Sequence, residues 1–127
     1  LVLSFLYMAA GRCFDCRAGI EGVKVEHPHR SNWWHFTEIA TRWIDDDIYG
    51  HINNVVYYSF FDTTVAQRLI DQGLFDPIDA EIIYLVVDSG CTYFESVPHP
   101  AILEVGIKAD RIGRTSVTYS IGVFCRG

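Results

Sequence analysis

The sequence predicts an α+β domain in which an antiparallel sheet wraps around one long helix. Three observations carry this expectation. Residues 102–111 and 116–125 alternate apolar and polar side chains, the period of strands with one dry face. Residues 54–72 are apolar nearly all round in their first half, as suits a helix that is buried rather than lying on a surface. No other segment offers a helix to cover the dry face of the sheet, so the single helix must do so.

In chain order, residues 1–30 show no clear period. They hold Cys13-Phe14-Asp15-Cys16, three glycines and His27-Pro28-His29. They are expected to be a poorly ordered leader, with residues 31–127 forming the domain. The chain begins with Leu1 and its one Met is Met8, so either the N-terminus is incomplete or Met8 is the natural start. Residues 35–44 are rich in Thr, Ile and aromatics and predict a strand. The helix over 54–72 is supported by Ala66-Gln67-Arg68-Leu69-Ile70 and by the stop signals Gly73 and Pro77, against the strand propensity of Val55-Val56-Tyr57-Tyr58. Residues 81–95 predict a long strand. Leu103, Val105, Ile107 and Ala109 share one face of the next strand; Val117, Tyr119, Ile121 and Val123 share one face of the last. Pro98 and Pro100 mark one turn, Ile112-Gly113 another. The chain stops at Gly127 directly after a strand, which suggests a truncated C-terminus with a further strand missing and an edge left open.

A chain of 127 residues that is 50% apolar and 20% charged suits one globular domain. Its net charge of −6 argues against nucleic-acid binding, which needs a basic surface. No apolar run approaches the roughly 18 residues of a membrane span. The opening Leu1-Val2-Leu3-Ser4-Phe5-Leu6-Tyr7 lacks the basic flank of a signal peptide, and Arg12 spoils a lipoprotein site at Cys13. The expectation is a cytoplasmic protein with reduced cysteines. The C-x-x-C has no second pair at zinc-ribbon spacing, and the scattered histidines have no ligand spacing, so no metal site is expected.

The segment Asp45-Asp46-Asp47-Ile48-Tyr49-Gly50-His51-Ile52-Asn53-Asn54 concentrates the chemistry. It places carboxylates at a strand end, a glycine turn after them, and an asparagine pair where the helix starts. A carboxylate beside free backbone N–H groups at a helix start is a workable acyl-transfer site, because the amides polarise a carbonyl while the carboxylate attacks it or activates water. The bland alternative is a solvated turn or capping aspartate. Asp45-x-Asp47-x-x-Gly50 also fits the start of a calcium loop, but Tyr49 replaces one ligand and Val56 stands where the bidentate Glu belongs. Ser59 and Ser89 lie in no nucleophile elbow.

The stretch from Arg42 to Tyr57, which fits R-[FW]-x-D-x-D-x-x-G-H-[VI]-N-N-x-x-Y, resembles the hot-dog-fold acyl-CoA thioesterases of the 4-hydroxybenzoyl-CoA thioesterase type. Gly113-Arg114-Thr115-Ser116-Val117 resembles the same family's later hairpin. The resemblance covers residues 35–127 and implies a hot-dog domain that hydrolyses acyl-CoA. Coenzyme A would be part of the substrate, with no cofactor. Asp47 would be the nucleophile or the base for water, and the backbone N–H of Asn54 would meet the thioester oxygen. Gly50 and His51 would shape the active-site turn. By strand alternation Asp45 shares the face of Asp47 and is expected to be a turn or supporting group, while Asp46, on the other face, is expected to be exposed. Tyr57 would either pack in the core or line the acyl pocket. Arg114, Thr115 and Ser116 would meet the coenzyme A phosphates. The family implies a homodimer, or a homotetramer built from it, with residues of both protomers at each site. Two other readings stay open on the same fold: a non-catalytic acyl-thioester-binding domain, and a dehydratase or hydratase using His51.

Overall fold

The computed structural model describes residues 2–9, 28–79 and 82–126. Its elements are β1 (Val2–Ala9), β2 (His35–Ala40), α1 (Val56–Asp71), β3 (Leu85–Ser89), β4 (Thr92–Tyr93), β5 (Ile102–Ile112) and β6 (Ser116–Cys125), with short 3-10 turns at Arg30–Asn32 and Trp43–Asp45. One sheet runs β2-β5-β6-β1-β3, and β4 also pairs with β1. β2, β5 and β6 form an antiparallel meander. The helix lies against it, the hot-dog arrangement that the alternating strands and the single helix required.

The core is the contact between the helix and the inner sheet face. Tyr57, Phe60, Phe61, Val65 and Leu69 come from α1; Leu103, Val105, Ile107, Tyr119, Ile121 and Val123 come from the sheet. The inward residues expected from alternation are those found buried, except that Ala109 is exposed and Val117 half-buried. Both flank the irregularity between Ala109 and Arg111, which turns the end of the hairpin away from the core. The helix stops as the glycine predicts. Gly73 adopts φ +67°, its N–H bonds Ile70 O, and Leu74 N–H bonds Leu69 O, a Schellman motif that satisfies the last carbonyls.

Four expectations are corrected. The strand expected over 35–44 ends at Ala40. There Thr41 turns inward and is bonded on both sides to Ala101, which leaves Trp43 and Ile44 in an exposed 3-10 turn. The strand expected over 81–95 is two pieces, β3 and β4, broken at Gly90-Cys91. The helix begins at Val56 rather than Asn54, because Asn53 is spent on an Asx turn that bonds the Val55 N–H. Finally, part of the segment expected to be a leader belongs to the sheet. β1 lies parallel between β6 and β3, taking the edge of β6 that the sequence left for a further strand. Backbone donors and acceptors on two open edges favour any β-prone run that reaches them. Cys13, Cys16 and His27 lie outside the described residues.

The outer sheet face, expected to be wet, carries a small second core. Gly106 and Gly122 stand opposite each other and leave a slot into which Trp33 packs, 6% exposed. Its ring meets Phe124 edge to face at 5.4 Å and its Nε1–H donates to Ser120 O at 3.2 Å. Arg30 stacks over Phe36 and pairs with Glu104, so residues 30–34 strap the sheet from outside. The expected boundary at residue 30 therefore falls inside a packed segment.

Candidate active site

The chain between β2 and α1 makes a tight loop whose bonds are nearly all local. The Asp47 N–H donates to His51 O at 2.8 Å, and Asp47 Oδ1 accepts the N–H of Tyr49 at 2.7 Å and of His51 at 3.3 Å. Gly50 takes φ +77°, a conformation that side-chain-bearing residues rarely adopt, and so lets the chain reverse over the carboxylate. Asp47 is half-buried, and its Oδ2 accepts no hydrogen bond from the described residues. One oxygen thus shapes the loop while the other remains open to a substrate.

The amides at the start of α1 are sorted just as sharply. Asn53 N–H donates to Asp45 O, Val55 N–H to Asn53 Oδ1, and Val56 N–H to Asn53 O. In this run the Asn54 N–H alone has no acceptor among the described residues. The peptide that carries it accepts the Val56 N–H on its oxygen, which polarises the free donor further. The Asn54 carbonyl in turn accepts the hydroxyl of Tyr93 at 2.6 Å.

Asp47, His51, Asn54 and Tyr57 line one cleft of about 330 Å³. The opposite wall comes from Tyr93, Phe94, Glu95 and Ser96, none of which sequence reasoning singled out. The available signal was an aromatic pair followed by Glu95 just before the proline-marked turn. A second, broader hollow lies on the other side of Asp47, edged by Trp43 and Ile48, both strongly exposed, with Gly50 and Asn53. Tyr57 is buried at 2% exposure and meets Tyr93 edge to face at 5.4 Å, so it both packs in the core and closes the cleft floor. Burial pushes its hydroxyl up to about 12, and burial raises that of Tyr93 as well. Both are neutral phenols near neutral pH.

The other two aspartates have different places. Asp45 is buried, its carboxylate bonded by the Arg42 guanidinium and backbone N–H. Asp46 is half-buried rather than exposed: its backbone bridges to Ile52, and its Oδ1 is shielded without a hydrogen-bond partner among the described residues. The pull of the bridge, which ties the two ends of the loop together, outweighs the preference of a carboxylate for water. The hydrogen bond from Arg42 holds the Asp45 carboxyl below its ordinary 3.8, against the opposing effect of burial. Folding stability from this group is therefore present above pH 3.8 and is lost as pH falls through the lowered folded value, because the unfolded chain takes up the proton first. Thermal melts down an acid series are expected to show a shallower loss in Asp45→Asn than in the natural sequence.

Arg114, Thr115 and Ser116 are not brought to this site within one chain. They form the β5–β6 hairpin tip, where Gly113 N–H bonds Ser116 O. The aspartate loop instead adjoins the opposite end of β5, through Thr41 and Ala101. The 11 residues of β5 separate the two ends by about 33 Å at the usual strand rise. Among the described residues no cluster of His, Cys, Asp and Glu could hold a metal ion, and no helix is long and apolar enough to cross a membrane.

Residues 49–127 match the model of the thioesterase superfamily. The crystal structure of the PA5185 protein from Pseudomonas aeruginosa is similar at 48% identity and a TM-score of 0.73, over 76% of this chain and 67% of that one. The PA2801 protein of Pseudomonas aeruginosa, a candidate thioesterase, is similar at 31% identity and a TM-score of 0.67, over 72% of this chain and 69% of that one. No curated protein matches the chain.

Proposed function

This chain belongs to the thioesterase superfamily, and from that premise we propose that it hydrolyses acyl-CoA thioesters, with Asp47 as nucleophile or general base. The observation that carries the reading is the meeting of an open carboxylate oxygen and an unpaired amide in one cleft. As nucleophile, Asp47 Oδ2 adds to the thioester carbonyl and the electron pair of the C=O bond moves to its oxygen, where the Asn54 N–H stabilises it. Collapse breaks the C–S bond, releases the thiolate and leaves a mixed anhydride, which water cleaves. As base, Asp47 takes a proton from water, and the resulting hydroxide adds to the carbonyl directly. Both routes give a carboxylic acid and free coenzyme A. An aspartate is ionised at neutral pH and a thiol leaves readily as thiolate, so neither route needs a second titrating side chain. Gly50 and His51 keep the turn open to the thioester. Tyr57, with Tyr93 and Phe94, faces the acyl group.

The reading includes a cytoplasmic homodimer, or a tetramer of such dimers. In it the hairpin of one protomer, with Arg114, Thr115 and Ser116, approaches the cleft of its partner and meets the nucleotide phosphates. This accounts for phosphate-suited residues lying about 33 Å along β5 from the carboxylate of their own chain. The Cys91 thiol, in no disulfide among the described residues, suits a reducing compartment.

Thiol release from a panel of acyl-CoAs tests the reaction, and inert protein that still binds acyl-CoA would favour a binding module instead. Arg114→Ala is expected to raise KM for acyl-CoA about tenfold, with little change for a short thioester lacking the nucleotide. Equal effects on both substrates would remove the phosphate role.

A further inference from the structure

We propose that Asp45 is a positioning residue that holds Asp47 and the Asn54 amide at a fixed separation, a role that rests on the catalytic reading of those two groups. Asp45 is the one acidic side chain in the core among the described residues, with 1% of its surface exposed. A buried carboxylate is costly unless its partners compensate it, and its main partner, Arg42, has a side chain that is 67% exposed. An ion pair three residues apart forms equally well at the surface, so pairing alone does not account for the burial. Capping of a three-residue 3-10 turn does not account for it either, since a neutral Asn or Ser caps as well.

What the buried position adds is a junction. Asp45 Oδ2 accepts the Arg42 N–H at 2.7 Å and Oδ1 accepts Arg42 Nη2 at 2.7 Å, which anchors the residue to the end of the segment following β2. The Asp45 carbonyl accepts the Asn53 N–H at 2.8 Å. Asn53 then holds the start of α1 through its bonds to the Val55 and Val56 amides. Asp47 lies two residues after Asp45, and Asn54 one residue after Asn53. The carboxylate and the oxyanion donor therefore hang from a single anchor by very short tethers. Each also has its own lock, Asp47 through the Tyr49 and His51 amides and Asn54 through Tyr93. Two backbone bonds join the ends of the loop, Asn53 N–H to Asp45 O and Asp47 N–H to His51 O, and the first of them fastens the start of α1 to the buried anchor. A displacement of about 1 Å between reacting groups is enough to lower a rate roughly 100-fold.

The test compares Asp45→Asn and Arg42→Gln with the natural sequence in two readouts. The first is steady-state hydrolysis of the best acyl-CoA. kcat is expected to fall about 10- to 100-fold in Asp45→Asn and about 3- to 10-fold in Arg42→Gln, with KM changed less than about threefold, and Arg42→Lys is expected to recover part of the loss. The second is amide hydrogen exchange, which does not depend on turnover. Exchange at Asn53 is expected to quicken at least about tenfold in both variants while the β5 and β6 amides stay protected. Unchanged kcat in both variants, or a loss of protection spread evenly over the sheet, would overturn the proposal. If the natural sequence hydrolyses no acyl-CoA, the catalytic reading fails by itself, and a slow, unchanged Asn53 amide in the variants would still refute the anchor.

Discussion

Asp47→Asn is expected to lower kcat for acyl-CoA hydrolysis about 1000-fold or more, the scale of losing a nucleophile or general base, while the fold stays intact. The substitution is suited to the geometry of the loop. Asp47 Oδ1 accepts the amides of Tyr49 and His51, and an asparagine oxygen can accept the same two bonds. What changes is the other position: the open, charged Oδ2 becomes a neutral amide nitrogen that neither attacks a carbonyl nor takes a proton. Asp47→Ala removes both features, so it also loosens the turn around Gly50. The two variants are therefore expected to share the kinetic defect, and only the alanine form to lose stability as well. Thiol release under saturating substrate, beside thermal melts, distinguishes them. Hydrolysis at the natural rate in Asp47→Asn would rule out Asp47 as the reacting group.

Trp33→Ala is expected to be the most destabilising single change outside the inner core, costing about 3–5 kcal/mol and lowering Tm by about 10–20 °C. The indole fills the slot between Gly106 and Gly122, and a Cβ at Gly106 would stand 2.7 Å from the Cβ of Trp33. Deleting the ring leaves two glycines facing a void, strips Phe124 of one of its two edge-to-face neighbours, and removes the indole N–H donor from Ser120 O. The slot cannot close, because both glycines sit in the paired strands β5 and β6. Trp33→Phe, which keeps an aromatic ring but no N–H, is expected to lose less. A melt of Trp33→Ala within about 3 °C of the natural protein would show that the strap over residues 30–34 contributes little to folding.

These two residues mark how unevenly the protein could be read from its residues. The loop around Asp47 was visible because its geometry is local. The aspartates, Gly50 and the asparagine pair fall within ten consecutive positions, and a turn joins them whatever the rest of the chain does. Trp33 was not visible. It lies next to a segment without period, and its partners, Gly106 and Gly122, are more than 70 residues away. Two glycines inside strands announce a close approach without saying what approaches. The same holds for Tyr93, whose bond to Asn54 O crosses 39 positions. Asp46 failed in a third way: alternation put it on the outer side of a strand, but the chain there is a 3-10 turn followed by an isolated bridge.

By itself, then, the sequence determined the helix, the antiparallel meander and the loop of Asp47. Each rests on interactions between residues close in the chain or on a hydrophobic period that survives any packing. The tertiary structure alone decided where the strands break, that β1 enters the sheet between β6 and β3, and that Asp45 is buried beneath the loop. It also decided that the Arg114 hairpin stands at the far end of β5 from the carboxylate of its own chain. Those outcomes depend on which open edge, slot or unpaired amide lies within reach once the sheet has formed, and no local pattern encodes that.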